Sequence, residues 1–100
     1  MEKRLSHKEI IDFLKSEKTF LSNEFGVVNI GLFGSFAKGE QTADSDIDIL
    51  VELKEPRFDW LAGLKIYLEQ IFEKKIELVR KSDLLKSHFI RRVEKDIIYA

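Results

Sequence analysis

The chain has no cysteine, so neither a disulfide framework nor a thiolate metal site is open to it. It has a single proline, Pro56, and only five glycines, and it shows no linker, repeat or low-complexity stretch. No apolar run approaches the ~20 residues that a membrane-spanning helix needs. The opening residues, Met1-Glu2-Lys3-Arg4-Leu5-Ser6, lack the apolar centre of a signal peptide. An excess of charge is also missing: 17 Lys and Arg face 18 Asp and Glu, a formal net charge of −1. The broad basic surface of a stable nucleic-acid binder is therefore not expected. Together these absences predict a soluble cytoplasmic protein with no membrane contact.

What remains is a mixture suited to one small core. The 100 residues are read as a single domain, 1–100, near the lower end of what folds comfortably alone. Apolar residues recur in periodic blocks, which argues against disorder. Ser6-His7-Lys8-Glu9 has the form of a capping box, and Ile10, Ile11, Phe13, Leu14 and Leu21 follow at helical spacing. That predicts a first helix over Ser6–Ser22, ended by Gly26 in a left-handed conformation. Val27–Phe33 is β-branched and apolar on both faces, as in a strand covered on both sides. Gly34–Ser45 is small and polar, with one helical turn expected over Ser35–Lys38. Ile47–Leu53 is the next strand, with Ile47, Ile49, Val51 and Leu53 on one face and Asp46, Asp48, Leu50 and Glu52 on the other.

After Pro56, Phe58–Phe72 reads as a helix with Trp60, Leu64, Tyr67, Leu68 and Ile71 on one stripe. Gly63 inside it costs about 1 kcal/mol relative to alanine, which suggests close packing there. A short strand over Lys75–Val79 and a last helix capped by Ser82-Asp83 complete the order α-β-α-β-α-β-α. The tail, Ile97-Ile98-Tyr99-Ala100, is apolar enough to be buried against a partner. The fold class is α/β (α+β): a small sheet of three or more strands with flanking helices, mixed or parallel.

The informative stretch runs from Ile30 to Leu53. Asp46 and Asp48, two residues apart on a strand, share a face with Cα atoms about 6.5–7 Å apart. Carboxylates so placed can converge on Mg²⁺, which takes hard oxygen ligands and leaves positions for substrate phosphates. Glu77, between Ile76 and Leu78, is the natural third carboxylate. Alone, Asp-x-Asp equally suits the solvated face of an edge strand, and Glu77 an exposed position. Glycine after a strand lets the backbone approach an anion, so Gly34-Ser35 can cradle phosphate oxygens, with Lys38 adding charge. This is not a P-loop, because Glu40-Gln41 stands where Lys-Ser/Thr is required. His7 and His88 lack a second ligand at metal spacing and are read as structural. Trp60 and Tyr67 are read as core, and Arg80-Lys81 as solvated.

The combination is more specific than its parts. Gly34-Ser35-Phe36-Ala37-Lys38-Gly39, then Ser45-Asp46-Ile47-Asp48-Ile49-Leu50-Val51, resembles the signature of the DNA polymerase β-like nucleotidyltransferases. Within that superfamily it is most similar to the minimal nucleotidyltransferases (MNT proteins), and the likeness covers most of the chain. The resemblance implies that Gly34 and Ser35 bind the triphosphate of ATP, that Asp46 and Asp48 are the catalytic metal ligands, and that Glu77 stands at the third acidic position. There the family usually has Asp. Lys38 stands where Arg is common, keeping the charge without the bidentate fork. The implied activity is that of an antitoxin, transferring AMP from ATP, with Mg²⁺, to a tyrosine of a HEPN-domain toxin partner. Two rivals remain. One is a non-catalytic module that neutralises its partner by stoichiometric contact; the other is an enzyme acting on a small molecule or an RNA end. Homo- and hetero-oligomers are both compatible with the sequence.

Overall fold

A computed structural model describes residues 5–81, 91 and 95–100. Among these residues no helix is long and apolar enough to cross a membrane.

Helix α1 spans His7–Ser16, and the Ser6 hydroxyl accepts a hydrogen bond from the Glu9 amide at 3.3 Å, as the capping box requires. Such a cap stabilises a helix by about 1 kcal/mol. The single helix expected to Ser22 is instead two, because the backbone leaves helical geometry at Glu17 and resumes as α2, Lys18–Phe25. At the junction the Phe13 carbonyl accepts both the Ser16 hydroxyl at 2.7 Å and the Glu17 amide at 3.1 Å, and the Glu17 carbonyl accepts the Leu21 amide at 2.8 Å, so hydrogen bonding carries through the change of direction. The bend turns Ile10 and Leu14 of one helix and Leu21 of the next onto a common core, each fully buried. Gly26 ends α2 with φ 62°, the left-handed conformation expected of it.

Strand β1 is Val27–Phe33, followed at once by the short helix α3, Gly34–Lys38. Strand β2 is Ile47–Leu53, helix α4 is Phe58–Phe72, strand β3 is Ile76–Arg80, and strand β4 is Ile98–Tyr99. The sheet order is β3-β2-β1-β4 and the sheet is mixed. β1 runs antiparallel to both β2 and β4, while β2 and β3 are parallel. The helix expected from Ser82 onward lies outside the described residues.

Alternation places Ile30 and Leu32 of β1, Ile47, Ile49 and Val51 of β2, and Ile76 of β3 together in the core with Leu64 and Leu68 of α4. β1 is not covered along its whole length. The pairing shifts between Val27 and Asn29, Val28 is 51% exposed, and the Asn29 amide donates to the Glu52 carboxylate at 3.1 Å. On α4 the apolar stripe includes Leu64, Tyr67 and Leu68, but Ile71 is 43% exposed. Its expected place is taken by Phe72, whose ring meets Phe13 edge-on at 5.4 Å. Tyr67 packs among Phe13, Phe20 and Phe25, so it is a core aromatic. Gly63 lies against Phe25, the close packing that its position predicts.

The tail departs from expectation. It is not left as an unpartnered apolar end but adds a fourth strand to the sheet. Tyr99 pairs with Gly31 and Ile98 with Leu32, and the Ala100 amide donates to the Ile30 carbonyl at 2.9 Å.

Candidate active site

Three strands deliver the candidate residues to one end of the sheet. Phe33, the last residue of β1, is the register partner of Asp48 on β2, and Asp48 is in turn the partner of Glu77 on β3. Gly34 follows Phe33 directly, with φ 73°. A side chain at Gly34 would overlap the Asp48 carboxylate, so the turn and the aspartate are in intimate contact. Asp46 precedes β2 by one residue and is half-buried. The residue types of sequence and the register of the sheet therefore converge: Gly34, Ser35, Asp46, Asp48 and Glu77 belong to one neighbourhood.

Its electrostatics are those of a site lacking positive charge. Burial pushes the Asp48 carboxyl above its ordinary value, and the nearby carboxylates of Glu77 and then Asp46 push it further in the same direction. Two basic side chains moderate the field from outside. Lys75 lies 3.2 Å from Glu77, which, with a further pull from Asp46, raises the Lys75 ammonium above its ordinary value. Lys38 lies 3.7 Å from Asp96, just before β4. Both pairs are about half exposed, so neither contributes much to stability.

The donor set fits Mg²⁺. Asp46 and Asp48 offer hard oxygen ligands, and an added cation would relieve the repulsion that burdens Asp48. Among the described residues no three acidic or imidazole side chains already gather closely enough to enclose an ion. Glu77, the register partner of Asp48, is also paired with Lys75 at 3.2 Å.

Other candidates resolve simply. His7 is exposed at the start of α1, and His88 lies outside the described residues. A groove of about 450 Å³ runs along the opposite end of β1, lined by Lys18, Ser22, Val28, Asn29 and Lys54 among others. It contains none of the candidate residues. Acid chemistry and the glycine turn both favour the other end of the sheet. Sequence reasoning missed Lys74, Lys75 and Asp96, since basic pairs beside a short strand and a lone acid near a tail carry no distinctive pattern.

A mixed sheet that brings a glycine turn from one strand to an Asp-x-Asp on the next defines the polymerase β-like nucleotidyltransferase fold. The chain belongs to the nucleotidyltransferase domain family, which matches residues 7–100. It is 40% identical over 96 residues to the protein adenylyltransferase MntA of Thermococcus cleftensis, covering 95% of this chain and 96% of that one. A solved structure provisionally described as a minimal nucleotidyltransferase superposes with a TM-score of 0.73 at 26% identity, covering 97% of this chain and 98% of that chain. A crystal structure of a toxin–antitoxin with AMP-PNP shares the fold, with a TM-score of 0.62 at 24% identity, covering 95% of this chain and 72% of that chain.

Proposed function

We propose that this nucleotidyltransferase is a Mg²⁺-dependent protein adenylyltransferase that moves AMP from ATP onto a tyrosine hydroxyl of a HEPN-type toxin, and so acts as its antitoxin. The observation that carries the catalytic part is the contact of Gly34 with Asp48, which joins a left-handed glycine turn to a carboxylate repelled by Glu77 and Asp46. The protein acceptor is supported by the MntA relative, whose name states protein adenylylation and which this chain matches over nearly its full length. The tyrosine and the HEPN partner follow the family resemblance of the motif.

In this reading the backbone at Gly34-Ser35 accommodates the β- and γ-phosphates, with the Ser35 hydroxyl as a donor and Lys38 as a nearby cation. Asp46 and Asp48 would hold Mg²⁺, which would neutralise charge on the triphosphate. The acceptor oxygen attacks the α-phosphorus as the bond to the bridging oxygen breaks, and pyrophosphate leaves with that oxygen. Glu77 takes the hydroxyl proton. Most of the rate comes from positioning and charge neutralisation.

Replacing both Asp46 and Asp48 by Asn is expected to abolish transfer of labelled AMP to the purified partner while circular dichroism stays unchanged. Undiminished labelling would refute the assignment. Stoichiometry separates catalysis from mere binding: the enzyme modifies a molar excess of partner, whereas a clamp neutralises only its equivalent and needs no ATP.

A further inference from the structure

The loop between α3 and β2 must present Asp46 and Asp48 at a fixed distance from the Gly34-Ser35 turn, yet most of its own bonds are local. The Thr42 amide donates to the Ser45 hydroxyl at 2.8 Å, and the Ser45 amide to the Thr42 carbonyl at 3.1 Å. These close a turn on itself without tying it to the sheet. The Gln41 side-chain amide donates to the Leu5 carbonyl at 3.4 Å, and the tie nearest Asp46 comes from a side chain 29 residues or more away in sequence. The Lys74 ammonium donates to the Ala43 carbonyl at 3.0 Å and to the Ser45 carbonyl at 3.2 Å. It also sits 5.8 Å from the centre of the Phe36 ring, a buried residue of α3 immediately after Ser35. One cation thus touches both the segment that leads into Asp46 and the helix that follows the glycine turn.

The backbone before Lys74 is held at a cost. Glu73 has φ 53°, the only non-glycine residue with positive φ among the described residues, and its amide donates to Glu69 at 2.9 Å. A left-handed L-residue costs about 1–2 kcal/mol. The turn so formed carries Lys74 toward the loop, and the next carbonyl, that of Lys75, accepts the Ile47 amide at 3.0 Å. Glu73 is the left-handed cap that ends α4.

We propose that Lys74 is a positioning residue for nucleotide transfer: it sets the spacing between the metal-binding aspartates and the phosphate turn by fixing the loop between them. The inference rests on the reading of Asp46 and Asp48 as metal ligands. Groups that orient a metal's ligands typically matter ten- to a hundredfold for metal affinity or activity.

Binding of Mn²⁺ in the presence of AMP-PNP, followed by water-proton relaxation, tests this without turnover. Lys74→Met keeps the aliphatic stem and removes the donors; its Mn²⁺ affinity is expected to fall roughly tenfold or more, and the KM for ATP to rise more than kcat falls. Lys74→Arg keeps a charged double donor and is expected to restore most of the affinity. Ser6→Ala, which removes a cap remote from the loop, serves as the control for general destabilisation. Wild-type Mn²⁺ affinity in Lys74→Met overturns the proposal, as does an equal loss in Ser6→Ala. Should Lys74→Met not fold, Lys74→Gln, with a shorter and uncharged NH₂ group, is read by the same criteria. If Asp46→Asn leaves Mn²⁺ binding intact, the metal reading itself fails and the role of Lys74 goes with it; loss in Asp46→Asn beside no loss in Lys74→Met condemns the Lys74 role alone.

Discussion

The two ends of β1 use the same backbone device for different ends. Gly26 enters the strand with φ 62° and Gly34 leaves it with φ 73°. At each, a side chain from a distant element lies where a Cβ would be. Over Gly26 it is the Trp60 ring, itself covered by the Arg57 guanidinium at 4.5 Å from its centroid. Over Gly34 it is the Asp48 carboxylate. An indole is stiff, apolar and content to be covered; a carboxylate is small, able to rotate and short of positive charge. A left-handed glycine is therefore not in itself a sign of a binding turn. The group that faces it decides whether the place is a joint or a site.

The largest stability effect is expected at the joint. Gly26→Ala would combine left-handed strain with overlap of a packed ring, costing about 2–4 kcal/mol in chemical unfolding. AMP transfer per folded molecule should stay near wild type, because no candidate residue lies at that end. Gly34→Ala brings the same strain, but the overlapping atom is the end of a rotatable side chain, so about 1–2 kcal/mol is expected. Its activity should nevertheless fall roughly a hundredfold, since Asp48 must swing away from its place. If Gly34→Ala proves as destabilising as Gly26→Ala and no less active, the two ends are equivalent and the contrast is wrong.

How much of this contrast could be read in advance depends on range. The strands, α3, α4 and the left-handed Gly26 follow from local pattern, and Asp46, Asp48 and Gly34 stood out because motif residues are close in sequence. The break at Glu17 is not legible in the sequence, because apolar spacing continues through it to Leu21. Pairing of the tail with β1 joins residues about 68 positions apart by main-chain bonds that no side-chain pattern announces. Lys74 and Asp96 were invisible for a related reason. Each acts through contacts with residues distant in sequence, and a lysine bound to two carbonyls has the same letter as a lysine in water.

The smallest expected effect has the opposite sign and separates site from joint most directly. Asp48 titrates above its ordinary value of 3.8 in the folded protein, through burial and the charges of Glu77 and Asp46. In the unfolded chain those causes vanish. At neutral pH both states are ionised, and only the folded one bears the repulsion, so the charged carboxylate lowers stability. As pH falls through the raised folded value, the folded state takes up its proton first and the burden lifts; below the unfolded value neither state is charged and the difference is gone. Asp48→Asn should therefore stabilise the metal-free protein at pH 7, by no more than about 1 kcal/mol because solvent screens the exposed part of the carboxylate. The gain should shrink toward acid pH and also when Mg²⁺ and AMP-PNP are added, because wild type alone then recovers its missing counter-charge. A matched substitution at the joint, Trp60→Phe, offers no such gain under any of these conditions. Unfolding curves of Asp48→Asn that match wild type at pH 7, or a gain that grows toward acid pH, would show that the acid beside Gly34 is as settled in its surroundings as the indole beside Gly26.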